Sequence, residues 1–159
     1  IGRYFNALGE YAHQKNVVLG IENVGGEIAG NGPDIKRILD MVPYREIGVT
    51  FDPANFYGFN PDFEGVDPYQ ALLYFKDRVV YTHWKDFVRT DKGPEYRKVG
   101  EGGIDWPPIV KALLESFDGY WAIEYEMGLG CGMEALLDGS RTGVRNLGSV
   151  IDSVRSRAH

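Results

Sequence analysis

Four short apolar runs each end on an acidic residue or a histidine, and this repetition constrains the chain more than any other feature. VVLGIE (17–22) closes on Glu22, EIGVTFD (46–52) on Asp52, and GYWAIE (119–124) on Glu124. The run VVYTHWKD (79–86) turns polar at His83 and continues through Lys85 and Asp86. Runs this short, rich in valine, isoleucine and aromatic residues, read as buried parallel strands. The steps between their polar ends are 30, 31 and 41 residues, enough for a strand, a crossover helix and two loops. Parallel strands of one sheet finish at the same edge. Two glutamates, an aspartate and a histidine therefore converge on one rim, as a metal site with catalytic carboxylates requires.

The segments between the strands read as helices. Ile1, Tyr4, Phe5, Leu8, Tyr11 and Ala12 form one stripe at helical spacing before the first strand. Pro33 suits a first helical turn, and Ile35, Ile38, Leu39 and Val42 follow it until Pro43 stops the helix. Asp67 is placed to cap a helix carrying Leu72, Leu73 and Phe75, and Asp105 one carrying Ile109, Val110, Leu113, Leu114 and Phe117. A long loop is expected over 87–103. The tail from Gly132 reads as a short helix, a break at Gly139–Ser140, and a longer helix bearing Val144, Leu147, Val150, Ile151 and Val154. The glycine-rich stretch NVGGEIAGNG after the first strand matches neither GxGxxG nor GxxxxGKS and reads as a plain loop.

A helix followed by four strand–helix units is a parallel α/β architecture. Counting back in twos from the polar ends separates two unlike faces. One holds Val18, Gly20, Gly48, Thr50, Val79, Tyr81, Tyr120 and Ala122; the other holds Leu19, Ile21, Val49, Phe51, Val80, Thr82, Trp121 and Ile123. The first suits the cramped interior of a barrel, the second a face beneath helices. A doubly wound sheet would be bulky and apolar on both. The expected fold is therefore a (β/α)8 TIM barrel. A full barrel needs eight units and ~250 residues, and this chain has four units in 159 residues. It is expected to be the C-terminal half of such a domain (1–159), a fragment that associates with its missing half or with a second copy.

The net charge of −6 opposes nucleic acid as a partner. One cysteine, Cys131, excludes an intrachain disulfide and fits a reducing, cytoplasmic compartment. No apolar run approaches the ~20 residues of a membrane span, so no membrane partner is expected.

Glu22, Asp52, His83 and Glu124 suit a single hard or borderline divalent ion. Their oxygens favour Mn²⁺ or Mg²⁺, and the imidazole admits Co²⁺ or Zn²⁺. The stretches IEN (21–23), FDPANF (51–56), THWKD (82–86), GEGGIDW (100–106) and IEYE (123–126), in this order and spacing, resemble the xylose isomerase-like TIM barrels. That superfamily holds sugar isomerases and epimerases, inosose dehydratases and endonuclease IV. The resemblance spans essentially the whole chain and matches the second half of those barrels. It implies one ion held by these same four residues, as in the epimerase branch. Endonuclease IV uses three zinc ions and additional histidines; this chain has only His13, His83 and His159, and carries Asp52-Pro-Ala-Asn55 where that branch has Asp-x-x-His.

The resemblance implies proton transfer next to a sugar or sugar phosphate carbonyl, with Glu22 and Glu124 as the acid–base pair. Epimerisation, aldose–ketose isomerisation and dehydration all start from the same enediolate and stay open here, as does a carbohydrate-binding relative without turnover. Arg89 lies six residues beyond His83, an offset at which some ketose epimerases place a substrate-binding arginine. Asn55, Lys85, Asp86 and Glu101 are expected to orient the ligands or the substrate.

Overall fold

The computed structural model describes residues 1–24, 29–56, 66–126 and 131–157. Parts of the glycine-rich loop (25–28) and of the loop after the second strand (57–65), and His159, lie outside the described residues. Strands β1 (Leu19–Glu22), β2 (Ile47–Phe51), β3 (Val79–Trp84) and β6 (Trp121–Ile123) form a four-stranded parallel sheet in the order β1-β2-β3-β6. Helices α1 (Gly2–Lys15), α2 (Gly32–Asp40), α3 (Pro68–Leu72), α4 (Trp106–Leu114) and α5 (Met133–Ser156) accompany the strands. Among the described residues no helix is long and apolar enough to cross a membrane.

Local chemistry explains the helix starts. The Asn31 side chain accepts from the Asp34 amide at 2.9 Å, with Pro33 in the first turn of α2. Asp67 Oδ1 accepts from the amides of Tyr69 and Gln70 at 2.7 and 3.2 Å. Asp105 stands at the N-cap of α4 but makes no side-chain cap bond; Pro107 and Pro108 shape that turn instead.

The two sheet faces differ as expected. Val49, Phe51, Thr82 and Trp84 are completely buried on the helix side. Trp84 lies 5.0 Å from both Trp106 and Trp121, stacked on the latter at 11°. The opposite face is open, with Gly20 and Tyr120 exposed and Thr50, Tyr81 and Ala122 half-buried. One part of the alternation fails. Val49 pairs with Val79 and Thr50 with Tyr81, leaving Val80 as an extra residue. Val79 joins the core under the helices. Val80 lies over Gly48, where a Cβ would meet its Cγ1 at 2.3 Å.

Two further expectations are corrected. The stretch read as a loop after Asp86 contains an antiparallel hairpin, β4 (Asp86–Thr90) and β5 (Gly93–Arg97); Gly93 supplies the positive φ of its turn, 107°. Helix α5 runs unbroken through Gly139, and this glycine admits the ring of Tyr125: a Cβ would stand 2.0 Å from Tyr125 Cε1. The α1 stripe is only partly covered. Gly9 and Ala12 are buried, whereas Ile1, Tyr4, Leu8 and Tyr11 are exposed.

Candidate metal centre

Each strand of the sheet delivers one polar side chain to the same edge. Glu22 ends β1, Asp52 follows β2, His83 is the next-to-last residue of β3, and Glu124 follows β6. The Glu124 amide still bonds the Trp84 carbonyl at 2.9 Å, so the ladder continues one step and holds Glu124 in register. Ligand atoms of all four residues lie within 4.8 Å of one another. His83 Nδ1 is 3.1 Å from Glu22 Oε1 and 3.4 Å from Glu124 Oε2. The structure brings these four side chains together at one edge of the sheet.

Asp52 is completely buried and is held on every side but one. Its Oδ1 accepts from the amides of Ala54 and Asn55 at 2.9 and 3.3 Å. The side chain of Asn23, itself fully buried, bonds both the amide and the carbonyl of Asp52. Asp52 Oδ2 takes no hydrogen bond; the Lys85 ammonium is 3.0 Å away as an ion pair, placed by distance without hydrogen-bond alignment. Burial pushes the Asp52 carboxyl up to about 6, although Lys85 pulls it down.

Lys85 is buried beneath the cluster. Its Nζ lies 3.2 Å from Glu124 Oε2 and 3.3 Å from Glu126 Oε2, besides Asp52. Burial works against its charge, but Asp52 and Glu124 outweigh that and hold its pKa above the ordinary lysine value. Asn55 points its amide at Glu22 Oε1 over a long 3.5 Å. Both residues stand beside the four-residue cluster.

Asp86, Glu101 and Arg89 stand elsewhere. Asp86 does not pair with Lys85. Its carboxylate is buried on the helix side, where Oδ2 accepts from the amides of Gly100 and Gly102 and from Trp106 Nε1 at 3.0–3.1 Å. It pins the GEGG turn to α4, and a Cβ on Gly102 would collide with it. Glu101 is exposed in that turn. Arg89 is exposed on β4 and lines a cleft with Tyr69, Ile104 and Pro108. Both therefore belong to features other than the four-residue cluster. Conversely, the sequence reading missed Asn23, Glu126 and Tyr96, whose hydroxyl donates to Glu126 Oε2 at 3.0 Å. The alternation Glu124-Tyr125-Glu126 signals Glu126. Tyr96 carries no signal until the hairpin is recognised.

The donor set fits a divalent ion. Three carboxylates and an imidazole match Mn²⁺, Mg²⁺, Co²⁺ or Zn²⁺. Oxygens on opposite sides of such an ion at ~2.1 Å are ~4.2 Å apart, so ligand atoms that lie within 4.8 Å of one another have at most about 0.6 Å to close. Asp52 Oδ2 takes no aligned hydrogen bond and has only the Lys85 ammonium beside it, which leaves a lone pair for an ion.

Known proteins share this fold. The profile of the xylose isomerase-like TIM barrel family matches residues 1–147. An inosose dehydratase of Lacticaseibacillus casei is 27% identical, over 58% of this chain and 35% of its own length. The solved structure of L-ribulose 3-epimerase superposes with a TM-score of 0.70 at 15% identity, covering 99% of this chain and 56% of that one. A xylose isomerase-like TIM barrel protein from Mycobacterium smegmatis in complex with magnesium gives 0.73 at 15%, covering 94% and 50%. At these identities the structures establish the fold alone. The chain spans about a third of the dehydratase and about half of the structures it matches.

Proposed function

The chain belongs to the xylose isomerase-like TIM barrel family, and on that premise we propose that it is the C-terminal half of a divalent-metal-dependent enzyme moving a proton next to the carbonyl of a sugar or sugar phosphate. The observation that carries this reading is the meeting of Glu22, Asp52, His83 and Glu124 within 4.8 Å at the carboxyl edge of the parallel sheet. That rim is where barrels of this kind place their chemistry.

An ion held by the four residues supplies Lewis-acid polarisation of the substrate carbonyl and the neighbouring hydroxyl. The chain's own groups do the rest. Glu22 and Glu124 come from the two outer strands of the sheet, while Asp52 and His83 come from the inner two. A flat enediolate lying over the inner pair is flanked by a glutamate on each side. One removes the α-proton and the other returns one to the opposite face, which inverts that carbon. His83 Nδ1 stands between the two, 3.1 Å from Glu22 Oε1 and 3.4 Å from Glu124 Oε2.

A second reading shares the first step. After α-proton removal, expulsion of a β-hydroxyl gives dehydration, and the likeness to an inosose dehydratase favours it. Incubating the intact protein with ketoses and inososes in D₂O separates these outcomes. Epimerisation or isomerisation by proton transfer places deuterium at the reacting carbon of a product of unchanged formula. Dehydration gives a product lighter by one water. Turnover with no solvent label in a product of unchanged formula indicates an internal hydride shift and defeats the proposal.

A further inference from the structure

Lys85 has three N–H donors, and three carboxylates surround it. Two belong to the cluster, Asp52 and Glu124, and the third belongs to Glu126. Lys85 is only 7% exposed, and its ammonium is ringed by these acids, hydrogen-bonded to Glu124 and Glu126 and 3.0 Å from Asp52 Oδ2. It serves the cluster by setting where Asp52 Oδ2 and Glu124 Oε2 point. What sets Lys85 is Glu126, whose Oε2 takes both the ammonium and the hydroxyl of Tyr96. Burial, then the bond to Glu126, pushes the Tyr96 phenol up to about 12, which keeps it a donor.

Tyr96 stands on β5, opposite the fully buried Phe87 of β4. The hairpin that carries it is anchored at its base by Asp86, through the amides of Gly100 and Gly102 and the Trp106 indole. A continuous set of contacts thus runs from the turn before α4, along the hairpin, through Tyr96, Glu126 and Lys85, to two of the three carboxylates of the cluster.

We propose that Glu126 and Tyr96 are positioning residues of the metal centre, acting through Lys85 on the carboxylates of Asp52 and Glu124. This rests on the reading of the cluster as a metal site. Partners of this kind, one bond removed from the ligands, typically change metal affinity by ~10–100-fold when lost. Neither side chain is needed for the core: Glu126 is 46% exposed, and Phe is isosteric with Tyr apart from the hydroxyl.

Titration of the metal-free intact protein with Co²⁺, followed by its visible d–d absorption, tests the proposal. Glu126→Gln should weaken Co²⁺ binding about tenfold or more and alter the band shape. Tyr96→Phe should shift both in the same direction by less, and Glu126→Asp should recover part of the loss. The thermal midpoints of the metal-free variants should match wild type. Wild-type affinity and spectrum in both Glu126→Gln and Tyr96→Phe overturns the proposal, as does a loss of affinity that only tracks a loss of stability. Wild-type protein that takes up no Co²⁺ defeats the metal-site reading itself, and the positioning role falls with it.

Discussion

The side chain of Asn23 acts as an extra rung between two strands of the sheet. Its Nδ2 donates to the carbonyl of Asp52 at 2.7 Å, and its Oδ1 accepts from the Asp52 amide at 2.8 Å. Both residues are completely buried, so the pair replaces the ladder bonds lost where β1 and β2 end. Removing the amide leaves a buried N–H and a buried C=O without partners, at about 1–3 kcal/mol each. Asn23→Ala should therefore destabilise the intact protein by about 2 kcal/mol or more, seen as a lower midpoint in chemical denaturation. Asn23→Asp keeps an acceptor but turns an oxygen on the Asp52 carbonyl, and should fare no better. A midpoint unchanged in both would show that Asp52 is positioned without Asn23.

Metal uptake tests the ligands individually. Asp52→Asn removes the charge but keeps the shape, and His83→Gln removes the imidazole while keeping a polar group. Each should abolish stoichiometric metal in protein assayed by elemental analysis after dialysis, because hard divalent ions depend on charged oxygen and imidazole donors. Full metal content in both variants would refute the assignment of this cluster.

Much of this site was legible in the sequence, because an apolar strand that ends abruptly on a ligand-type residue leaves few alternatives. Glu22, Asp52, His83 and Glu124 were each visible this way. What lay beyond the strand ends was not. The sequence Trp84-Lys85-Asp86 does not reveal that Lys85 turns to the cluster and Asp86 to the helices, since that depends on β4 starting at Asp86. The hairpin itself was hidden by its polar second strand, GPEYR. The bulge at Val80 reversed one pair of faces, a one-residue event that strict alternation cannot anticipate. The α1 stripe was seen, but its partial exposure was not, because amphipathicity says which face is apolar and not what covers it.

Two glycines of α5 make opposite predictions. In an exposed helix interior, replacing glycine with alanine gains about 0.8–1 kcal/mol from backbone propensity. Gly148 has open space around its missing Cβ, so Gly148→Ala should raise the melting temperature. Gly139 faces the ring of Tyr125, where a Cβ would approach to 2.0 Å. Overpacking of that kind costs about 1–3 kcal/mol and outweighs the propensity gain. Gly139→Ala should lower the melting temperature, and a rise in both variants would mean that Tyr125 does not need this space.

The isolated 159-residue chain should associate in solution. Its sheet ends on two parallel edges, β1 and β6, and unpaired parallel edges are templates for further pairing. Beside β1 the surface is apolar: Val17, Val18 and Leu19 are exposed, and α1 turns Ile1, Tyr4, Leu8 and Tyr11 outward, with Tyr4 76% exposed. Beside β6, Tyr120 is 79% exposed, and Met133, Leu137 and Val144 of α5 are uncovered. Each edge therefore pairs an open strand with an apolar helix flank, the two surfaces that a neighbouring βα unit would bury. In a closed barrel of this family both edges are filled by the other half. Edge-to-edge association of two chains is another way to cover them. Light scattering on the purified chain should give a mass above 17.8 kDa. Supplying the complementary half of the barrel should replace that species with one closed unit. A cooperative monomer that binds metal on its own would show that four units suffice and that the exposed flanks of α1 and α5 are tolerated in water.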